Sequence, residues 1–227
     1  YLECQDKWRM SGIFRDVYIL ERPVERVVSW RVQTEMAEDF REASLRVRLH
    51  GTPGLRGQVR LGQPGKLYWH TEYSDTDQCC GQGMGVSSRR EWQGILAEAP
   101  IAFSGRGRHA WDSMAAFVLD EEGKGEISFL CRNPLLWNAE QPFLYPLSIE
   151  TEEEILGELV GIRKVEVKGN RFLLNGRPIR FKGVNRHDFS PRFGAAVTRE
   201  EMERDLLLMK RLNINAVRTS HYPNAPE

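Results

Sequence analysis

Polar side chains that could do chemistry stand at two places in the last part of the chain. Asn185 and His187 follow one short β-rich run, and Arg218 and His221 follow another. Two imidazoles, an amide and a guanidinium can donate and accept enough hydrogen bonds to hold a polyol. The same residues could instead be solvated loop residues or strand-end caps, because strand ends are polar in most proteins.

A strand, a helix and a second strand are predicted to position these residues. The helix should begin at the capping-box pattern of Thr198 and Glu201, and Asn213 is a plausible end. Apolar residues follow the cap at helical spacing, at positions 202, 206, 207, 208, 209 and 212. Residues 179–184 and 214–218 are the flanking strands. Parallel strands of a βαβ unit end on one rim, so we expect the two polar clusters to meet there.

The long segment before this unit is predicted to be entirely β. Apolar and polar residues alternate in short runs, and Gly and Pro punctuate them, which favours an immunoglobulin-like sandwich. The predicted strands are residues 28–33, 45–49, 59–61, 114–119, 127–131, 145–150 and 156–161. Residues 74–112 fit this pattern least. Their glycine-rich stretch does not open a helix after a strand, so we predict a loop there and no phosphate cradle.

Three domains are predicted from these changes in pattern. Residues 1–23 should form the closing edge of a β-domain, with a second strand at 13–20. Residues 24–163 should form the sandwich, and residues 164–227 should contain the βαβ unit. Within that last part, residues 172–178 indicate a strand followed by a hairpin turn at Asn175 and Gly176.

Composition excludes several kinds of partner. Lys plus Arg and Asp plus Glu both number 32, so no net charge attracts nucleic acid or an anionic membrane. No apolar run approaches the roughly 18–20 residues of a membrane span. The four cysteines lack metal spacing, and the adjacent pair Cys79 and Cys80 suits free thiols. We therefore expect a cytoplasmic protein with reduced cysteines.

Four segments carry a resemblance to the β-galactosidases of glycoside hydrolase family 2. Residues 6–17 resemble the end of that family's jelly-roll sugar-binding domain. Residues 133–137 with 142–145 resemble the end of its immunoglobulin-like domain. The segment 183–194 and the segment 208–224 resemble the start of its TIM barrel. The resemblance therefore implies a mainly β chain, with an immunoglobulin-like sandwich followed by the first βαβ segment of an incomplete (β/α)8 barrel.

The resemblance also implies a function for each matching residue. His187 and His221 match histidines that contact galactosyl hydroxyls and stabilise the transition state, and Arg218 matches an arginine that holds the nucleophilic carboxylate. Asp6 matches an aspartate that binds a sugar hydroxyl and a sodium ion, and Asn185 is assigned to substrate binding. The implied enzyme is a retaining hydrolase of β-galactosides such as lactose, oligomeric, and dependent on magnesium and sodium.

The two catalytic carboxylates of that enzyme, and the magnesium ligands, are expected beyond Glu227. Asp188 and Glu203 are interpreted as a loop residue and a helix-surface residue, and the chain alone is expected to be inactive. Asp188 stands where the family often has Glu. This difference leaves the details of substrate contact undecided but does not change the enzyme class. β-Glucuronidases share residues 218–223 but usually differ at 185–187, which favours a galactosidase. A sibling glycosidase such as a β-glucuronidase or β-mannosidase remains an alternative, as does a non-catalytic β-sandwich that binds carbohydrate or protein.

Overall fold

Strands dominate the computed structural model, which describes residues 3–4, 7–8, 12–66, 86–87, 113–222 and 224. It divides the chain into two compact units, residues 21–179 and residues 1–20 with 180–227. The predicted fold class, a mainly β chain with a β-sandwich followed by a βαβ unit, is confirmed. The predicted domain limits at 1–23, 24–163 and 164–227 stay a prediction. Among the described residues, no helix is long and apolar enough to cross a membrane.

Two antiparallel sheets form the sandwich of residues 21–179. The first has the order β3 (Val27–Met36), β4 (Glu42–Gly51) and β9 (Lys124–Arg132). The second has the order β7 (Val86–Ser87), β11 (Ile155–Val160), β10 (Phe143–Glu150), β5 (Arg56–Leu61) and β8 (Ser113–Val118), with β6 (Gly65–Lys66) also paired to β10.

Buried and exposed side chains alternate along the strands, and this alternation places the core between the two sheets. On β4, Leu45, Val47 and Leu49 are buried while the residues between them are more exposed. Leu147 and Ile149 on β10 belong to the same apolar cluster, which draws on both sheets. The cluster also holds the free thiol of Cys131, and burial raises the pKa of that thiol. The period-two pattern in the sequence therefore identifies the buried face correctly.

Tyr145 fixes a loop to this core by its hydroxyl. The side chain is 2% exposed, and its oxygen accepts a hydrogen bond from the Leu135 N–H at 2.7 Å. We expect Tyr145→Phe to destabilise the chain by about 1–2 kcal/mol, because the Leu135 N–H loses its acceptor. Urea unfolding measures the effect. Tyr18→Phe is the control, since Tyr18 is 78% exposed; equal stabilities of the two variants would contradict the prediction.

A small third sheet ends this unit and contains the predicted hairpin. It has the order β12 (Val165–Lys168), β13 (Arg171–Leu174) and β14 (Arg177–Pro178). Asn175 and Gly176 connect β13 to β14 with φ of 52° and 74°. Two consecutive positive φ values are typical of a type I′ turn, which is why the Asn-Gly pair is found there.

The unit of residues 1–20 and 180–227 contains the predicted βαβ segment. Strand β15 (Gly183–Arg186) is followed by helix α1 (Arg199–Arg211) and strand β16 (Ala216–Thr219), and β15 and β16 pair in parallel. Strands β1 (Glu3–Cys4) and β2 (Lys7–Trp8) form a separate antiparallel pair.

Both ends of α1 follow the sequence signals. The Thr198 hydroxyl accepts from the Glu201 N–H, and the Glu201 carboxylate accepts from the Thr198 N–H. At the other end Asn213 takes a φ of 58°, and its N–H donates to the carbonyl of Lys210. The N–H of Ile214 donates to the carbonyl of Met209, which completes a Schellman motif with Asn in the place of the usual Gly.

Two strand predictions in this unit are wrong. Residues 13–20 form no strand, and Ile13 and Ile19 are 83% and 99% exposed. A strand requires hydrogen bonds to a neighbour, and no partner strand faces this stretch in the described part of the chain. The first parallel strand begins at Gly183 and not at position 179, because its ladder partner β16 begins at Ala216, opposite Gly183.

Candidate active site

The two polar clusters meet at the ends of the parallel strands, as predicted. The ladder pairs Asn185 with Arg218 and Arg186 with Thr219. The Ser220 N–H extends it with a hydrogen bond to the Arg186 carbonyl at 2.9 Å. The residues that follow, His187 and His221, therefore leave their strands at the same level of the sheet.

The histidine rings lie side by side beyond the strand ends. The ring centroids of His187 and His221 are 5.5 Å apart, with the ring planes 87° to one another. The ring centroid of Tyr222 is 6.3 Å from that of His187. The peptide bond from Ser220 to His221 is cis. The Nδ1 atom of His187 is buried and has no hydrogen-bond partner among the residues that the structure describes. A buried polar atom of this kind normally has a partner, so a ligand hydroxyl or a water would satisfy it.

Asn185 and Arg218 occupy the face of the strand pair that α1 does not cover. Side chains alternate between the two faces of a strand, and Arg186 bonds to Asp205 on α1. Asn185 and its ladder partner Arg218 therefore point to the other face, and both are exposed. They line an open groove of about 320 Å³, bordered by residues 183–185 and 216–218. An amide and a guanidinium at this position can bind hydroxyls or a carboxylate.

An ion network that the sequence interpretation missed holds the first cluster. The Arg186 guanidinium is 8% exposed and pairs with the carboxylate of Asp188 and, at 3.0 Å, with the carboxylate of Asp205. Asp188 is a loop residue, as interpreted, but it is buried. Glu203 is a helix-surface residue, and its carboxylate accepts from Arg199 four positions earlier. Arg186 lies between two predicted site residues, Asn185 and His187. This position was the one sequence signal that could have indicated its role.

A second contact ties the same segment to the start of α1. The Ser190 hydroxyl donates to Glu201 Oε1 at 2.7 Å, and it accepts from the N–H groups of Arg192 and Phe193. Because the bond favours the charged form, it lowers the pKa of the Glu201 carboxyl. The capping box therefore also anchors the loop after β15.

Metal binding gains no support from the described side chains. No group of three His, Cys, Asp or Glu within 12–64 and 113–222 converges in a way that could hold an ion. Asp6, the residue assigned to sodium and to a sugar hydroxyl, lies outside the described residues, as does the glycine- and cysteine-rich segment apart from its two-residue strand.

Comparison with known proteins shows what the chain resembles. A family model described as glycosyl hydrolases family 2, TIM barrel domain, matches residues 165–227. Over 226 residues the chain is 37% identical to a β-galactosidase of Actinobacillus pleuropneumoniae, which matches all of this chain. The predicted resemblance to glycosyl hydrolase family 2 is confirmed. A β-galactosidase of Staphylococcus xylosus is 34% identical over 227 residues, again across all of the chain. The chain spans 18% of the length of each of these two relatives.

Solved structures of the family share the fold of the chain. The β-glucuronidase of Parabacteroides merdae superposes with a TM-score of 0.61 over 88% of this chain and 22% of its own, at 17% identity. The β-glucuronidase of Dictyoglomus thermophilum gives 0.58 over 89% of this chain and 27% of its own, at 23% identity. At these identities the similarity shows the fold alone. It agrees with the mainly β fold class and with a barrel segment at its end.

Proposed function

We propose that the chain is part of a retaining β-galactosidase, which hydrolyses terminal β-D-galactosyl residues of β-galactosides such as lactose. One observation carries the proposal: two histidines from separate parallel strands stand 5.5 Å apart, and one of them keeps a buried nitrogen without a described partner. Strand ends of parallel α/β barrels carry the chemistry in this fold. Rings in this position suit the recognition of adjacent sugar hydroxyls.

The proposed role of His187 and His221 is to strengthen their hydrogen bonds as the sugar reacts. The ring of the sugar flattens and gains positive charge towards an oxocarbenium ion, and hydrogen bonds that tighten in that state lower the barrier. Arg218 would hold a carboxylate nucleophile, since its planar guanidinium can bind both carboxylate oxygens. Asn185, opposite Arg218 in the ladder, would contact a substrate hydroxyl.

The galactosyl preference is favoured by the pattern of similarity. Relatives at 34–37% identity along the whole chain are β-galactosidases, whereas the β-glucuronidase structures are 17% and 23% identical. A β-glucuronidase-like enzyme of the same family is the second candidate, supported by those structures. The whole protein that contains the chain, tested with nitrophenyl β-galactoside and nitrophenyl β-glucuronide, should prefer the galactoside. A preference for the glucuronide would overturn this part of the proposal.

The bond-breaking carboxylates are proposed to lie in parts of the whole protein outside this chain. In retaining enzymes the two carboxyl groups stand about 5–5.5 Å apart and act as nucleophile and acid/base. Of the two carboxylates that the sequence interpretation considered, Asp188 is paired with Arg186 and Glu203 with Arg199. Sodium at Asp6, magnesium and a homo-oligomeric whole protein belong to the same proposal.

The purified chain of residues 1–227 is therefore expected to hydrolyse no galactoside. Without the carboxylate pair, neither attack on the sugar carbon nor protonation of the leaving oxygen can occur. Release of nitrophenol from nitrophenyl β-galactoside checks the expectation, with a buffer blank and the whole protein as the two controls. Turnover by the chain clearly above the blank would show that it holds a complete active site.

A further inference from the structure

Arg186 pairs with two carboxylates, an ion network that a simple surface loop would not require. The Arg186 guanidinium is 8% exposed and contacts two carboxylates. One of these carboxylates is that of Asp188, a residue that is 5% exposed. Removing such charges from water is costly unless their partners are well placed. The second carboxylate, on Asp205, comes from α1. The arrangement therefore joins the end of β15 to the helix.

Helix α1 holds this segment at two points that lie one turn apart. Glu201 and Asp205 are spaced i, i+4, so their side chains share a face of the helix. Glu201 accepts from Ser190 at 2.7 Å, and Asp205 accepts from Arg186 Nε at 3.0 Å. Residues 187–189 lie between the two anchored residues.

His187 lies directly after the first anchored residue and depends on its neighbours for its position. No hydrogen bond from a described residue reaches its Nδ1 atom, so such a bond does not orient the ring from that side. The backbone at residues 186–188 and the contacts with the His221 and Tyr222 rings position it. The Ser220 N–H bonds to the Arg186 carbonyl, so the same residue also aligns the segment that carries His221.

We infer that Arg186 and Asp205 are positioning residues that set the place of His187 for reaction, an inference that rests on the proposed function. They do not touch the sugar. A carboxylate on α1 holds the guanidinium, the guanidinium holds the strand end, and the strand end carries the imidazole. A misplacement of about 1 Å far from the reacting atoms can cost about 100-fold in rate.

The test is a double-mutant cycle in the whole protein, with nitrophenyl β-galactoside as substrate. We expect Asp205→Ala to lower kcat about 10- to 100-fold while KM changes less than about threefold. Asp205→Asn should recover most of the loss, because its amide oxygen can still accept from Arg186. Glu203→Ala on the same helix is the matched control and should keep kcat within about twofold, since it removes only a helix-surface pair.

The second arm of the cycle measures whether the effect passes through His187. In a His187→Phe background, Asp205→Ala should lower kcat by less than about threefold, because the group that it positions is gone. An equal loss in both backgrounds would show a general structural role and overturn the inference. If circular dichroism shows that Asp205→Ala unfolds the protein, the cycle is read from Arg186→Lys instead. Losses from Arg186→Lys and His187→Phe that simply add would then overturn the inference.

The controls separate this inference from the proposed function. If His187→Phe leaves kcat unchanged, or if the whole protein does not cleave galactosides, the proposed function fails and the inference fails with it. If His187→Phe lowers kcat and Asp205→Ala does not, the proposed function stands and the positioning role is wrong.

Discussion

Replacing either histidine of the pair with phenylalanine is expected to lower kcat/KM of the whole protein about 100- to 1000-fold, the loss that follows removal of one transition-state hydrogen-bond donor. Phenylalanine keeps a ring of similar size at the 5.5 Å contact between His187 and His221, so the packing changes little. Most of the loss should appear in kcat, because the hydrogen bonds are proposed to tighten only as the sugar ring flattens. Steady-state kinetics with nitrophenyl β-galactoside measure both parameters.

The matched control for these variants is His50→Phe. His50 is an exposed residue of β4 in the sandwich, so its replacement should leave kcat/KM within about twofold. A galactose-like inhibitor that carries positive charge at the ring should lose more affinity in the His187 and His221 variants than galactose does. A pure rise in KM with unchanged kcat would instead indicate ground-state binding and would contradict the proposed transition-state role.

Arg22→Met is expected to destabilise the sandwich by about 3–5 kcal/mol, because it leaves a buried carboxylate without its cation. The Glu154 side chain is 2% exposed, and its Oε2 atom accepts from Arg22 at 2.8 Å. Its Oε1 atom accepts from the Val27 N–H at 3.0 Å, so the carboxylate fixes the segment that enters β3. Urea unfolding of the chain, followed by circular dichroism, measures the change.

Two further variants show whether the loss comes from the unpaired charge. Adding Glu154→Gln to Arg22→Met should recover most of the stability, because the neutral amide can still accept from Val27 and needs no cation. Arg48→Met is the surface control: its pair with Glu126 is about half exposed on both sides, and its removal should cost less than about 1 kcal/mol. Equal losses for Arg22→Met and Arg48→Met would refute the burial argument.

Local patterns predicted those elements whose signals lie within a few residues. The capping box at Thr198, the helix end near Asn213 and the Asn175–Gly176 turn all appear as expected, because each depends on backbone geometry that neighbouring residues determine. The buried face of β4 follows from alternation for the same reason. The failed strand at 13–20 had an apolar pattern, but strand formation also requires a partner, which no local pattern supplies.

The sequence by itself indicated the resemblance to glycosyl hydrolase family 2 and the mainly β fold class. It also predicted that His187 and His221 would meet at one rim. Those features depend on motif order and on the rule that parallel strands end together. Only the tertiary structure decided which contacts hold the strand ends in place. The partners of Arg186 lie two and nineteen positions away, and nothing in their spacing indicates that Asp205 would turn towards the strand. Such contacts depend on the packing of α1 against the strand end, which exists only once the chain has folded.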